Sequence, residues 1–217
     1  MNSRLCFFLL CFRSCLPCKA QMYYENNPRT FKGLLSAGLN GSQIDGDGPA
    51  GYHSWGFTGG IGTAVQWHRN ISTSIELLYS QRGSVQKGEM KNGAVERFKI
   101  NTDYIEMPVC LNVNDNKALT VGVGISPAVL LNYRIAYQLT DAATGTVNTT
   151  PPVCLANPMK EYDVSGLVKM QFRCFRSLSI GAKYQYSLIS LRPPCEGDTR
   201  ANGQYHNVIG FYLQYKI

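Results

Sequence analysis

The stretch WGFTGGIGTAVQW, Trp55–Trp67, decides how the rest of the chain is read. Trp55, Phe57, Ile61, Val65 and Trp67 fall on alternate positions, and Gly56, Thr58, Gly60, Gly62, Ala64 and Gln66 take the positions between them. A period of two belongs to a strand with two unlike faces. The polar face is built from small residues, and a tryptophan stands at each end of the apolar one.

The same alternation recurs along the chain, and no stretch beyond residue 20 keeps a helical period. FKGLLSAGLNG (31–41) carries Phe31, Leu35, Ala37 and Leu39 as its apolar set. ISTSIELLY (71–79) sets Ile71, Ile75, Leu77 and Tyr79 against Ser72, Ser74 and Glu76, and YIEMPVCLNV (104–113) follows the same rule. So do ALTVGVGIS (118–126), DVSGLVKMQF (163–172), LSIGAKYQYS (178–187) and NVIGFYLQYKI (207–217), which brings the strands to eight. Ala118–Tyr133 has no charge, but its glycines, Pro127 and alternating valines favour a strand over a helix.

The links between strands alternate in length. Long ones are expected at 42–54, 83–97, 138–162 and 191–205, and tight ones at 68–70, 114–117 and 175–177. All long loops then lie at one end and all tight turns at the other, as in an up-and-down meander.

The chain begins MNSRLCFFLLCFRSCLPCKAQ, with Arg4 before eight apolar residues, Leu5–Phe12, and a small-residue cut expected after Ala20. This is the order of a secretory signal peptide, too short to span a bilayer as a helix. The expected organisation is a signal peptide at 1–20, a short periplasmic segment at 21–30 and one barrel domain at 31–217. The formal charge of +7 falls to +4 once Arg4, Arg13 and Lys19 leave with the leader. No Lys/Arg cluster follows, so nucleic acid is not an expected partner. Cys110, Cys154, Cys174 and Cys195 remain after the leader, in no metal-binding or redox spacing.

An eight-stranded meander can be a soluble carrier with an apolar inside or a membrane barrel with an apolar outside. A soluble barrel needs Lys and Glu at most outward positions. Here the polar face is Gly, Ser, Thr, Ala and Gln with few charges, which suits a crowded lumen. Several strands reach nine or more residues, enough to cross the hydrocarbon layer when tilted. Trp55, Trp67, Tyr79, Phe211 and Tyr215 are expected as interface aromatics, with Tyr133, Tyr137 and Tyr186 beside the long loops. The reading is an all-β, eight-stranded antiparallel up-and-down transmembrane β-barrel, monomeric and surrounded by outer-membrane lipid. Its alternating terminal strand is the kind of signal barrel-insertion machinery reads. The alternative is a secreted soluble eight-stranded barrel binding a small apolar ligand.

FKGLLSAGLNGSQIDGD, GYHSWGFTGGIG, IELLYSQRGS and DYIEMPVCL, taken in order, resemble the successive signatures of PorT-like outer-membrane β-barrel proteins of the Bacteroidetes type. The resemblance implies an outer-membrane barrel with loops outside and turns in the periplasm. Its namesake is linked to type IX protein secretion, so a secretion-system or surface partner is expected at the loops. The cysteines and the long third loop lie outside that signature.

On the polar faces, Glu76, Glu106, Lys169, Arg173, Lys183 and Lys216 are expected to form a structural charge network in the lumen, because unpaired buried charge is costly. Cys154 and Cys195 fall in neighbouring long loops of an oxidising compartment, and a disulfide between them is expected. Cys110 and Cys174 take opposite faces and are not paired. His53, His68 and His206 are scattered, and no serine or cysteine nucleophile has a base placed by motif. No catalytic residue, cofactor or resident metal is expected. SQIDGDGPAGYHSWG (42–56) begins like a calcium loop at Asp45 and Asp47 but lacks the later ligands. It reads as the first long loop, with a weak cation site at Asp45/Asp47 left open.

Overall fold

Strands satisfy their backbone groups only through neighbours, so a chain of alternating strands must either leave edges or close on itself. In the computed structural model it closes. Residues 31–46, 51–91, 94–115, 118–141, 144–151, 157–192 and 203–217 are described. The strands are β1 (Phe31–Asp45), β2 (Ser54–His68), β3 (Ile71–Lys91), β4 (Ala94–Glu106), β5 (Val109–Asn114), β6 (Leu119–Asp141), β7 (Val147–Asn148), β8 (Tyr162–Arg173), β9 (Leu178–Ser187) and β10 (Tyr205–Lys216). All pairings are antiparallel, and β1 pairs with both β2 and β10, which closes the ring.

β4 and β5 share one place in the wall, between β3 and β6. The ladder breaks between them at Pro108, which has no N–H to offer. Met107 N still donates to Pro127 O at 2.8 Å, and Glu76 N donates to Pro108 O at 3.1 Å. β7 is a two-residue addition to the outer end of β6. The wall therefore has eight positions, and the up-and-down barrel is the observed architecture.

The two faces are sorted as the alternation predicts for a membrane barrel. Leu35, Leu39, Phe57, Ile61, Leu77, Leu111, Val123, Val168, Ile180, Phe211 and Leu213 point outward and are about half exposed. Ser36, Asn40, Ser74, Glu76, Ser80, Asn112, Ser126, Ser165, Lys169, Lys183, Gln185 and Gln214 point inward and are buried. That arrangement removes the soluble alternative, because an exterior of this kind has no place in water. Trp55 and Trp67, at 67% and 69% exposure, mark the two ends of β2. Twelve residues separate them, about 40 Å along a strand and about 28 Å across a membrane at the usual tilt. Among the described residues no helix is long and apolar enough to cross a membrane, so any crossing is by strands.

Small residues line the inside because the wall leaves no room for more. A Cβ at Gly60 would meet Leu77 O at 2.0 Å, and one at Gly124 would meet Val109 O at 2.0 Å. The tight turns lie where expected, at Arg69–Asn70, after Asn114 and at Cys174–Ser177.

The second long loop, expected at 83–97, is instead a hairpin arm. β3 and β4 stay paired from Leu78↔Glu106 out to Lys91↔Ala94, and β4 pairs with β6 as far as Asp141. The reason is a reversal of phase. Above Tyr79↔Ile105 the outward positions turn polar, beginning with Gln81 and Asp103, while Phe98 and Ile100 turn inward and are buried. Outside the bilayer the strand faces water, so the apolar side must switch to the interior. On β6 a bulge makes the switch: Leu130 pairs with Tyr104, Asn132 with Asp103, and Leu131 is the extra residue. Tyr137, expected beside a long loop, packs inward, and Tyr133 sits above the apolar band.

Candidate functional site

β3, β4, β8 and β9 bring charged residues into the lumen in two tiers. In the lower tier Lys169 Nζ lies 3.1 Å from Glu76 Oε1 and donates to Ser74 Oγ at 3.0 Å. Glu76 Oε2 accepts from Ser36 Oγ at 2.9 Å and from Gln214 Nε2 at 3.2 Å. Gln171 Nε2 donates to Gln214 Oε1 at 2.9 Å, closing the tier across the barrel.

The upper tier is anchored by Glu106, which is fully buried. It accepts from Lys183 Nζ at 3.0 Å, from Gln185 Nε2 at 3.2 Å and from Arg82 Nη2. Arg82 Nη1 donates to Asp163 Oδ2 at 3.0 Å, and that oxygen also accepts from Ser165 and Ser187. The Arg82 guanidinium lies 5.1 Å from the Tyr104 ring centre, and Tyr104 meets His206 edge-on, with Oη 3.2 Å from Nε2. Three carboxylates thus face three cations. Such a set is tolerated because each charge has an opposite partner at contact distance. Between the tiers lies a cavity of about 20 Å³ beside Thr58, Leu78 and Tyr212, enough for about one water.

Above the upper tier the lining turns apolar. Ile44, Phe98, Ile100, Met159 and Leu191 form a buried cluster, with Leu130, Ile135 and Tyr137 packed against it. Two loop segments fold in to build it, tied by Lys160 N to Leu191 O at 2.9 Å and Leu191 N to Gln204 O at 2.8 Å. Ion pairs fill the lumen inside the membrane, and an apolar cap fills it outside.

Of the six residues expected in the lumen, the structure brings together Glu76 with Lys169 and Glu106 with Lys183. Arg173 corrects the expectation: it is exposed at the tight-turn mouth of the barrel, where β8 ends. Lys216 is half-buried at the same end, paired with Leu34 in the register. Arg82 and Asp163 were not foreseen as members. Arg82 continues the inward parity of Glu76 and Ser80, but it stands next to the segment read as a loop, where that parity was not followed. His206 and Tyr104 join the same tier.

The interface aromatics lie on the outer surface. Phe211 is 56% and Tyr215 48% exposed, while Tyr79 donates to Asp103 Oδ1 at 3.0 Å at the upper edge of the apolar band. Cys110 is a buried free thiol and Cys174 an exposed one. Cys154, Cys195 and Asp47 lie outside the described residues, as do the expected leader and residues 21–30. Asp45 accepts from Gln43 Nε2 at 2.7 Å and from Asn207 Nδ2 at 3.1 Å. Gly46 and Gly51 take positive φ in the first loop. Among the described residues no cluster of His, Cys, Asp and Glu could hold a metal.

Comparisons with known proteins agree with this architecture. The attachment invasion locus protein Ail of Yersinia pestis is similar at 11% identity, covering 86% of this chain and 98% of its own, with a TM-score of 0.47. Neisserial surface protein A matches at 9% identity over 87% and 97% of the two chains, with a TM-score of 0.46. Acinetobacter baumannii CarO matches at 7% identity over 83% and 96%, with a TM-score of 0.45. With TM-scores under 0.5 these likenesses add nothing to what strand pairing establishes. A search of the curated proteins finds no match. The model of the outer membrane protein beta-barrel domain matches residues 20–192, most of the chain. With a closed eight-position wall, an apolar exterior and a charged, filled lumen, the chain belongs to the outer-membrane protein β-barrel domain family.

Proposed function

We propose that this protein is a closed, non-conducting and non-catalytic barrel whose working part is the extracellular arm of β3, β4 and β6 with its neighbouring loops. The observation that carries this reading is the filled lumen. Among the described residues two ion-paired tiers and an apolar cap occupy it in series, which supports a lumen closed to a continuous water path. An eight-stranded barrel has an interior about wide enough for its own side chains, which supports the same reading. The function then lies in what the outer surface touches.

The resemblance to PorT-like barrels of the Bacteroidetes type supports a protein partner in the outer membrane and an accessory role in protein secretion. Two measurements test the two halves separately. In planar bilayers the purified barrel is expected to give no conductance steps, and stable steps of porin size would overturn the closed lumen. In a deletion strain of the source bacterium, complementation by a variant with 87–96 replaced by a two-residue turn is expected to leave the barrel in the membrane and secretion impaired. Full secretion by that variant would refute the accessory role and leave the closed barrel standing.

A further inference from the structure

The outward face of the arm carries an unpaired group of cations just above the apolar band. Arg97 and Lys99 on β4 and Arg134 on β6 are all exposed. Among the described residues none of the three has an ion-pair partner. The acid nearest on that face, Asp103, already accepts from Tyr79 Oη at 3.0 Å and Gln81 Nε2 at 3.2 Å.

The register brings the cations together. Lys99 stands opposite Ala136, Arg134 opposite Asn101 and Arg97 opposite Gln138, so Lys99 and Arg134 are diagonal neighbours about 7–8 Å apart. Like charges at diagonal positions oppose one another and favour a shared counter-anion.

Their height selects the anion's source. Tyr79↔Ile105 is the last row below the polar Gln81↔Asp103. Arg134 and Asn101 lie four residues beyond the Tyr79↔Ile105 row, Lys99 six and Arg97 eight. At about 3.3 Å per residue and a 45° tilt the three are about 9, 14 and 19 Å above that row. Long cationic side chains reach several ångströms down toward the interface. A plain phospholipid headgroup layer is only about 5–8 Å deep, so it meets Arg134 alone.

We propose that Arg97, Lys99 and Arg134 seat the phosphates of a phosphorylated, sugar-headed lipid of the outer leaflet, whose larger headgroup carries negative charge at several depths. The contact would hold the arm upright beside the membrane and would order the lipid shell around β4 and β6. The inference rests on the membrane barrel and not on a secretion role.

The test compares wild type with R97Q/K99Q/R134Q, and with R69Q/R173Q/R176Q as a charge-matched change at the periplasmic turns. Each is reconstituted in phosphatidylcholine vesicles with or without purified lipid A still carrying its phosphorylated core sugars, and the lipid A retained per barrel is measured after detergent extraction. Wild type and the periplasmic variant are expected to retain lipid A, and the triple variant to lose affinity by roughly fivefold per charge removed. Enzymatic removal of the phosphates is expected to reduce wild type to the level of the triple variant. The triple variant should keep the heat-modifiable gel mobility of a folded barrel in lipid-free detergent, which separates binding from folding. Equal retention by all three proteins, or retention unaffected by dephosphorylation, would overturn the proposal. So would a wild type that binds soluble heparin in neutral vesicles through these residues while retaining no lipid A, since the surface would then serve a polymer in solution.

Discussion

Arg82 holds the upper tier together. Its two nitrogens reach Glu106 and Asp163 from β3, while the acids come from β4 and β8. Replacing it by methionine leaves Asp163 with only the Ser165 and Ser187 hydroxyls and Glu106 with Lys183 and Gln185. Removing one partner of a buried pair typically costs about 3–5 kcal/mol, because a carboxylate is left uncompensated. Arg82→Met is therefore expected to lose about that much in urea unfolding from lipid vesicles, and R82M/D163N to recover a substantial part. Lys169→Met should cost less, since Glu76 keeps Ser36 and Gln214 as donors. Equal losses for the two methionine variants would show that the tiers do not differ in this way.

Among the elements, β6 does the most, because it crosses the membrane and then continues into water. Its bulge at Leu131 lets one strand serve two solvents with opposite alternation. Below the bulge Val121, Val123, Ile125 and Val129 face lipid; above it Ile135 and Tyr137 face the cap. Deleting Leu131 would close the bulge and keep Asn132 opposite Asp103 and Arg134 opposite Asn101, so Ile135 and Tyr137 stay in the cap. Ile135→Asp instead places a charge in the cap, where each large apolar side chain lost forfeits about 1.5–3 kcal/mol. The deletion is expected to leave the arm as resistant to protease as wild type, and Ile135→Asp to leave it cleaved while the strands below keep their heat-modifiable mobility. An arm cleaved as readily in the deletion variant as in Ile135→Asp would show that the phase of the arm depends on more than its pairing with β4.

At the scale of the whole molecule, one surface passes from lipid to water along each strand of the arm. The boundary can be located by placing the same charge on either side of it. Ile61 lies midway between Trp55 and Trp67 on the outward face, and a lysine there is expected to cost about 2–4 kcal/mol in lipid vesicles. Val85 also faces outward, opposite Lys99 but above the band, and Val85→Lys is expected to cost less than about 1 kcal/mol, mostly by repulsion from Lys99. Similar costs at the two positions would refute the boundary drawn at Tyr79↔Ile105.

The local pattern was enough to determine the barrel and its orientation to lipid. Alternation by two in Trp55–Trp67 and its counterparts sorts residues onto two faces, and small or charged residues opposite bulky ones identify which face is lipid. The same parity carried Glu76, Glu106, Lys169 and Lys183 into the lumen. It stopped short at the arm, because a strand leaving the membrane exchanges its apolar and polar faces and then looks like a loop to a reading that assumes one solvent. Arg82, Asp163 and the cap were decided only by tertiary structure. A strand's sequence determines which way each side chain points, but closure and register determine which side chains from distant strands meet, and the pairing of buried charge depends on those meetings.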